Sequence, residues 1–168
     1  MESDLYLLLG SNLGDRMQNI NNAMNLITGE IGSVVSSSAC YETEPWGNRN
    51  QGLFLNLAIL LKSAETPFSL LNKIKAIESR LGRLRDKGRN SPRTIDIDIL
   101  IYGNIVVSSE TLIIPHPRLH LRKFVLVPLS EINSELVHPV YHKTIAELMV
   151  TCTDNLGVNV YESINNFS

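Results

Sequence analysis

Residues 95 to 102 read Ile-Asp-Ile-Asp-Ile-Leu-Ile-Tyr. Side chains alternate across a strand. Ile95, Ile97, Ile99 and Ile101 are therefore expected to line one face, the core face, with Asp96 and Asp98 on the other. Asp is disfavoured in strands. Two carboxylates ~6.6 Å apart along a strand repel by roughly 2 kcal/mol at an effective dielectric constant of about 20. Divalent cations or clustered arginines are the available compensation. Hard oxygen ligands suit Mg2+, which keeps several waters and is shared with substrate phosphates. The plainer alternative is an exposed sheet face carrying two solvated aspartates.

The segment just before this strand favours the first reading. Residues 80–93 hold five arginines, one lysine and one aspartate, a net charge of +5, while the rest of the chain carries −7. Arginine suits bidentate recognition of phosphate. A basic, glycine-containing loop leading into two carboxylates reads as a polyphosphate site. There metal ions bridge phosphate oxygens and arginines balance charge in the transition state.

Hydrophobic periodicity organises the remainder. Leu5–Leu9, closed by Gly10, reads as a buried strand. Asp15 caps a helix with apolar positions Met17, Ile20, Met24 and Ile27. Val34 to Tyr41 reads as one serine-rich strand, residues 44–52 as a polar loop, and Leu53–Leu61 as a third strand. Thr66-Pro67 opens a second helix with Leu70, Leu71, Ile74, Ile77 and Leu81 on its apolar side. After the Ile/Asp strand come a turn at Gly103-Asn104 and a short partner, residues 105–107. A mainly helical stretch follows to about Glu131, broken near Pro128, and Thr144 is placed to cap a last helix, Ile145–Met149. The order strand–helix–strand–strand–helix–strand is the split βαβ pattern. The expected fold class is α+β: a ferredoxin-like βαββαβ core with a mostly antiparallel sheet, helices on one face and extra C-terminal elements.

Other motifs are weaker. Gly10-Ser11-Asn12-Leu13-Gly14 lacks both phosphate-loop glycine patterns and reads as turn chemistry. The loop around Trp46 is followed by Phe54 and Asn56 on alternate strand positions. An aromatic ring with a nearby amide can hold a flat heterocycle by stacking and edge hydrogen bonds; core packing is the plainer role for Phe54. His116 and His120 are four residues apart but lack an evident third ligand for zinc, so phosphate contacts suit this segment better. His138 and His142 read as surface residues.

Composition sets the outer limits. At 168 residues, one domain spanning 1–168 is expected. The hydrophobic share of 43% and mean hydropathy of +0.02 argue against disorder. A net charge of −2 argues against a general nucleic-acid coat. Two distant cysteines, Cys40 and Cys152, read as small buried hydrophobes or unbridged thiols, which suits a reducing compartment. No basic n-region starts the chain and no apolar run reaches the roughly 20 residues of a membrane span. The expectation is a cytoplasmic protein without membrane or nucleic-acid partners.

Taken together, several stretches resemble the 6-hydroxymethyl-7,8-dihydropterin pyrophosphokinase family of folate biosynthesis. They are Gly10 to Leu13, Thr43 to Gly47, Phe54-Leu55-Asn56, Pro92-Arg93-Thr94-Ile95-Asp96-Ile97-Asp98-Ile99-Leu100 with Tyr102-Gly103, and Pro115-His116 to Pro128-Leu129. The resemblance implies a ferredoxin-like monomer that moves pyrophosphate from MgATP to the pterin hydroxymethyl oxygen and releases AMP. It implies that Asp96 and Asp98 hold two Mg2+ ions and that Phe54 and Phe124 sandwich the pterin. Thr43 and Asn56, with backbone near Glu44 and Trp46, are implied edge contacts. Arg83 and Arg93 are implied to touch the phosphates and support catalysis. Glu78, Arg85, His116 and Arg122 are implied further ATP contacts, and residues 44–52 and 82–92 closing loops. This chain departs from some members at Asn90-Ser91, where they carry Trp-Gly, and at Trp46, where they carry a smaller residue.

No side chain is an obvious general base, so positioning and electrostatics are expected to carry most of the rate. Two rivals remain at this point. A ferredoxin-like RNA-binding module would use the basic loop, but it wants stacking aromatics on adjacent strands. A metal-dependent phosphohydrolase would consume ATP without any pterin.

Overall fold

The computed structural model describes residues 1–82 and 94–162. The elements are β1 (Ser3–Ser11), α1 (Arg16–Glu30), β2 (Ser33–Ser37), β3 (Cys40–Thr43), β4 (Phe54–Ser63), α2 (Pro67–Arg80) and β5 (Asp96–Tyr102). They continue with β6 (Val107–Ser108), β7 (Ile113–Ile114), a 3-10 turn (Leu119–Leu121), α3 (Lys123–Asn133), α4 (Ile145–Thr151) and β8 (Val158–Glu162). The main sheet runs β5-β1-β4-β3-β8, with β2 also paired to β4. Every pairing in it is antiparallel. The first seven elements make the expected ferredoxin-like βαββαβ core, with the second strand in two pieces.

The split has a local cause. Ser38 is buried, and its hydroxyl accepts the Ala58 N–H (3.0 Å) while donating to the Ala39 carbonyl (2.7 Å). A side chain that competes for backbone partners interrupts a ladder. Thus β2 pairs with residues 59–62 of β4, and β3 with residues 54–56.

β1 is central and buried on both faces. Leu5, Leu7 and Leu9 enter one core with Ile20, Met24 and Ile27 of α1 and Leu70, Ile74 and Ile77 of α2. Tyr6 and Leu8 enter a second core with Val125, Leu126 and Leu129 of α3 and Ile145 and Leu148 of α4. The helices therefore cover both faces of the sheet, not one as expected. The C-terminal third is apolar enough to close the second face. The break near Pro128 is absent too: α3 runs through it, and Pro128 is buried inside the helix. Packing outweighs its missing N–H.

One isoleucine faces the other way. Ile95, Ile97 and Ile99 lie in the first core, whereas Leu100 and Ile101 lie in the second. Leu7 pairs with Ile99 and Tyr6 with Ile101, so Leu100 is the extra residue of a bulge. A bulge resets the alternation, and so serves both cores from one strand.

The starts of α1, α2 and α4 follow the capping rules, whereas α3 has no side-chain cap. Asp15 accepts the Gln18 N–H (3.1 Å) and Thr66 the Ser69 N–H ahead of Pro67. Thr144 and Glu147 form a reciprocal capping box. β7 and β8 were not expected, and β8 extends the sheet beyond β3. Neither cysteine is in a disulfide. No described helix is long and apolar enough to cross a membrane.

His138 is buried, not at the surface: 3% of it is exposed. Its Nδ1 accepts the N–H groups of Val140 (3.2 Å) and Tyr141 (3.1 Å), and its ring stacks on Tyr141 at 4.5 Å. Burial first, then His120 and His142, push its pKa down from 6.5 to about 4. The folded form therefore disfavours the charged ring. This contribution to stability is present above pH 6.5 and is lost as pH falls through about 4. An H138N variant retains an acceptor for the two N–H groups but cannot titrate. Its stability, relative to its own neutral-pH value, should fall less steeply between pH 6.5 and 4, by up to about 1.4 kcal/mol per pH unit. Denaturant unfolding across that range measures this, and an unchanged slope would contradict it.

Candidate active site

The site begins with a glycine. Gly10 near the end of β1 pairs with Asp96 of β5 on one side and Asn56 of β4 on the other. A Cβ at Gly10 would meet Asn56 Oδ1 at 2.7 Å and Phe54 Cδ1 at 3.7 Å. The missing side chain makes room for both. One row further in, Asp98 lies opposite Leu8, which lies opposite Ala58. Leu8 and Ala58 belong to the core beneath α3. Directly opposed residues in antiparallel strands share a face. Asp96, Asp98, Phe54 and Asn56 therefore share the α3 face, where that core runs out. Both aspartates are half-buried.

Asn56 Nδ2 donates to Thr43 Oγ1 at 2.7 Å, and both residues are buried. That bond orients the amide and hydroxyl side by side at the end of β3 and β4. Phe124 stands half-buried in the first turn of α3, packed against the second core. Just before it, the Arg122 guanidinium lies 5.6 Å from the Phe124 ring centroid and 4.6 Å from that of Trp46.

His116 is tied to β5 by its N–H, which donates to the Leu100 carbonyl (2.9 Å). Its Nδ1 accepts the Arg118 N–H (3.1 Å), which leaves the ring proton on Nε2. Burial, then the Arg122 charge, with Arg118 adding to it and Asp96 opposing, push its pKa from 6.5 to about 4. The imidazole is neutral at neutral pH, with Nε2–H as a donor.

Beside this row lies a cleft of about 280 Å3 along the open edge of β5. Leu71 and Ile74 of α2, Ile97 to Ile99, Leu112 and His116 line it. Leu71, Ile99 and Leu112 were not expected in a site, because nothing in the sequence separates a cleft leucine from a core one. Glu78 stands at the same edge. It is 4% exposed, and its Oε2 accepts the Ile97 N–H at 3.2 Å. Its carboxylate thus satisfies an edge donor of β5.

Other expected residues are placed differently. The Glu44 N–H donates to the Gly157 carbonyl (3.1 Å), and its Oε2 accepts the Gly157 N–H (2.5 Å). Glu44 thereby docks the segment before β8. Asn12, which sequence reasoning left in a plain turn, donates to Gln51 Oε1 (3.0 Å) and the Gly52 carbonyl (3.3 Å). It anchors the far end of the Trp46 loop. Arg83, Arg85 and Arg93 lie outside the described residues.

The donor set fits Mg2+. Asp96 and Asp98 offer two hard oxygen groups on one face, and no group of three or more metal-ligating side chains is found among the described residues. Two carboxylates suit an ion that completes its shell with water and substrate phosphate.

Residues 6–134 match the family described as 7,8-dihydro-6-hydroxymethylpterin-pyrophosphokinase (HPPK). A 2-amino-4-hydroxy-6-hydroxymethyldihydropteridine pyrophosphokinase from Aquifex aeolicus is 41% identical over 143 residues, covering 85% of this chain and 88% of its own. The protein of the same name from Bacillus subtilis is 40% identical over 163 residues, covering 96% and 92%. Among solved structures, a Plasmodium falciparum HPPK-DHPS chain is similar with a TM-score of 0.72 at 18% identity, over 88% of this chain. This chain spans only 45% of that longer one, and the likeness speaks for the fold. By the family match and these relatives, the chain belongs to the 7,8-dihydro-6-hydroxymethylpterin-pyrophosphokinase family.

Proposed function

We infer that this chain transfers the pyrophosphoryl group of ATP to the hydroxymethyl oxygen of 6-hydroxymethyl-7,8-dihydropterin, releasing AMP, in folate biosynthesis. The observation that carries the reading is the position of Asp96 and Asp98. They stand between the Thr43–Asn56 pair with Phe54 on one side and the cleft holding Asp98 and His116 on the other. The pterin takes the first side. Asn56 and Thr43 meet its polar edge, with backbone near Glu44 and Trp46, and Phe54 and Phe124 take its two faces. ATP takes the cleft, with Leu71, Ile99 and Leu112 against the base and Asp98 near the phosphates.

The hydroxymethyl oxygen attacks the β-phosphorus in line. A bond forms from that oxygen to the β-phosphorus, the bond from the β-phosphorus to the oxygen it shares with the α-phosphorus breaks, and the hydroxyl proton is released. Asp96 and Asp98 would hold Mg2+, two ions in this reading, which would supply charge neutralisation at the phosphates facing the nucleophile. His116 suits a donor to phosphate rather than a base, since its Nδ1 is occupied and Nε2 carries the proton. Arg122 and Glu78 stand on the nucleotide side. By resemblance to the family, Arg83 and Arg93 are assigned to the phosphates and to supporting catalysis, and Arg85 to a further contact with the nucleotide. Chemistry of this kind depends on positioning and charge more than on a base.

The RNA-binding rival finds no support, because helices cover both faces of the sheet. The phosphohydrolase rival has no observation in its favour. The same reading has the chain act as one domain over 1–168, as a monomer, in the cytoplasm.

With ATP, Mg2+ and 6-hydroxymethyl-7,8-dihydropterin, the nucleotide product should be AMP; ADP, or no turnover, would sink the reading. D98A should lower kcat by at least ~100-fold, as expected when an electrostatic stabiliser is lost. Its circular dichroism should stay native, because an alanine there lies opposite Leu8 at the rim of the second core and leaves no charge behind. Unfolding of D98A would instead make the carboxylate structural.

A further inference from the structure

The resemblance puts the backbone near Trp46 beside the pterin, but its side chain lies against two arginines, Arg118 and Arg122. The Arg122 guanidinium lies over the indole at 4.6 Å from the ring centroid, and that of Arg118 at 5.8 Å. Arg122 is flanked on another side by Phe124 at 5.6 Å. Its charge is felt at His116, which lines the cleft with Asp98. The loop that presents the indole is held at both ends. Glu44 is bonded twice to Gly157, Pro45 is buried, and Asn12 grips Gln51 and Gly52. Gly47, at φ +91°, turns the chain directly after Trp46.

A guanidinium stacked on an aromatic face keeps its N–H donors in its own plane. It can bind phosphate through its edges while the ring holds its face. The Arg122 backbone is set by the start of α3, but a long arginine side chain has many rotamers to lose. A ring beneath it removes most of them before the phosphate arrives.

We propose that Trp46 is a positioning residue for the nucleotide: its indole face orients the Arg122 guanidinium toward the triphosphate. The loop that closes the pterin side thereby also sets a phosphate-binding arginine, and the two substrate sites share one contact. This rests on the pyrophosphokinase reading above. It gives Trp46 a task that a wall of the pterin pocket does not have, since its effect is present with no pterin bound.

The test is calorimetric binding of α,β-methylene ATP with Mg2+, without pterin. W46L should bind it more weakly by ~5-fold, the usual strength of such a contact, while W46F, which keeps a ring face, should bind within about twofold of the unaltered protein. R122A should also weaken binding, and adding W46L to R122A should cost nothing further. Trp46 is the only tryptophan, so its emission reports the contact directly and should shift in R122A. Nucleotide binding by W46L equal to that of the unaltered protein overturns the proposal. So do independent, additive losses from W46L and R122A, failure of W46F to rescue, or unchanged emission in R122A. The emission arm decides if W46L fails to fold. Absence of nucleotide binding by the unaltered protein would overturn the pyrophosphokinase reading and this one with it. Binding there with W46L unaffected overturns this one alone.

Discussion

Asp96 and Asp98 are held on one face of β5 because Ile95, Ile97 and Ile99 are locked into the core on the other. A strand slipped by one residue would exchange the two sets. It would drive two carboxylates among the side chains of α1 and α2, at several kcal/mol for each unpaired charge. The position of the candidate metal site is thus enforced by hydrophobic packing some distance from any metal. The bulge at Leu100 confines this strict alternation to the half of β5 that carries the carboxylates. Beyond it, Leu100 and Ile101 turn to the second core, and the strand becomes purely structural.

The second core matters as much as the first. It brings α3 down on the carboxylate face and stops where the site starts. A hydrogen-bonded tie sets how α3 meets the sheet. The Tyr41 hydroxyl donates to Glu131 Oε2 at 2.5 Å, and Glu131 Oε1 accepts the Ala39 N–H at 3.0 Å. Burial, then Glu131, push the Tyr41 pKa up to about 12, so the phenol keeps its proton at any ordinary pH. β3, which ends in Thr43, and α3, which starts beside Phe124, are pinned to each other through this pair. The two walls assigned to the pterin are therefore spaced by a contact that touches neither substrate.

Much of this was legible along the chain. The Ile/Asp alternation, the caps at Asp15, Thr66 and Thr144, and the order of the first seven elements are local signals with local causes. So is the concentration of arginine before β5, although residues 83–93 lie outside the described part. Other features had no local signature. Ile101 carries the same pattern as Ile97 and faces the opposite core. His138 sits beside Pro139 near a turn and reads as a surface residue, yet it is buried with its ring stacked on Tyr141. Leu71 and Ile99 read as core and line a cleft, because β5 lies at the edge of the sheet. Glu44 reads as a loop carboxylate and instead docks the segment ahead of β8.

Short-range chemistry therefore chose the residue types and their order: carboxylates that need cations, a strand with a core side, helices with capped starts. Those choices depend on neighbours a few residues away, and they point to a metal-bound triphosphate before any fold is known. The folded chain decided which face each helix covers, where the alternation breaks, and which side chains from distant segments meet. Trp46 and Arg122 are 76 positions apart in the chain, and only the packing of α3 against the sheet brings the indole under the guanidinium. Burial and the meeting of distant residues arise from packing whole layers together, and no single stretch of sequence contains that information.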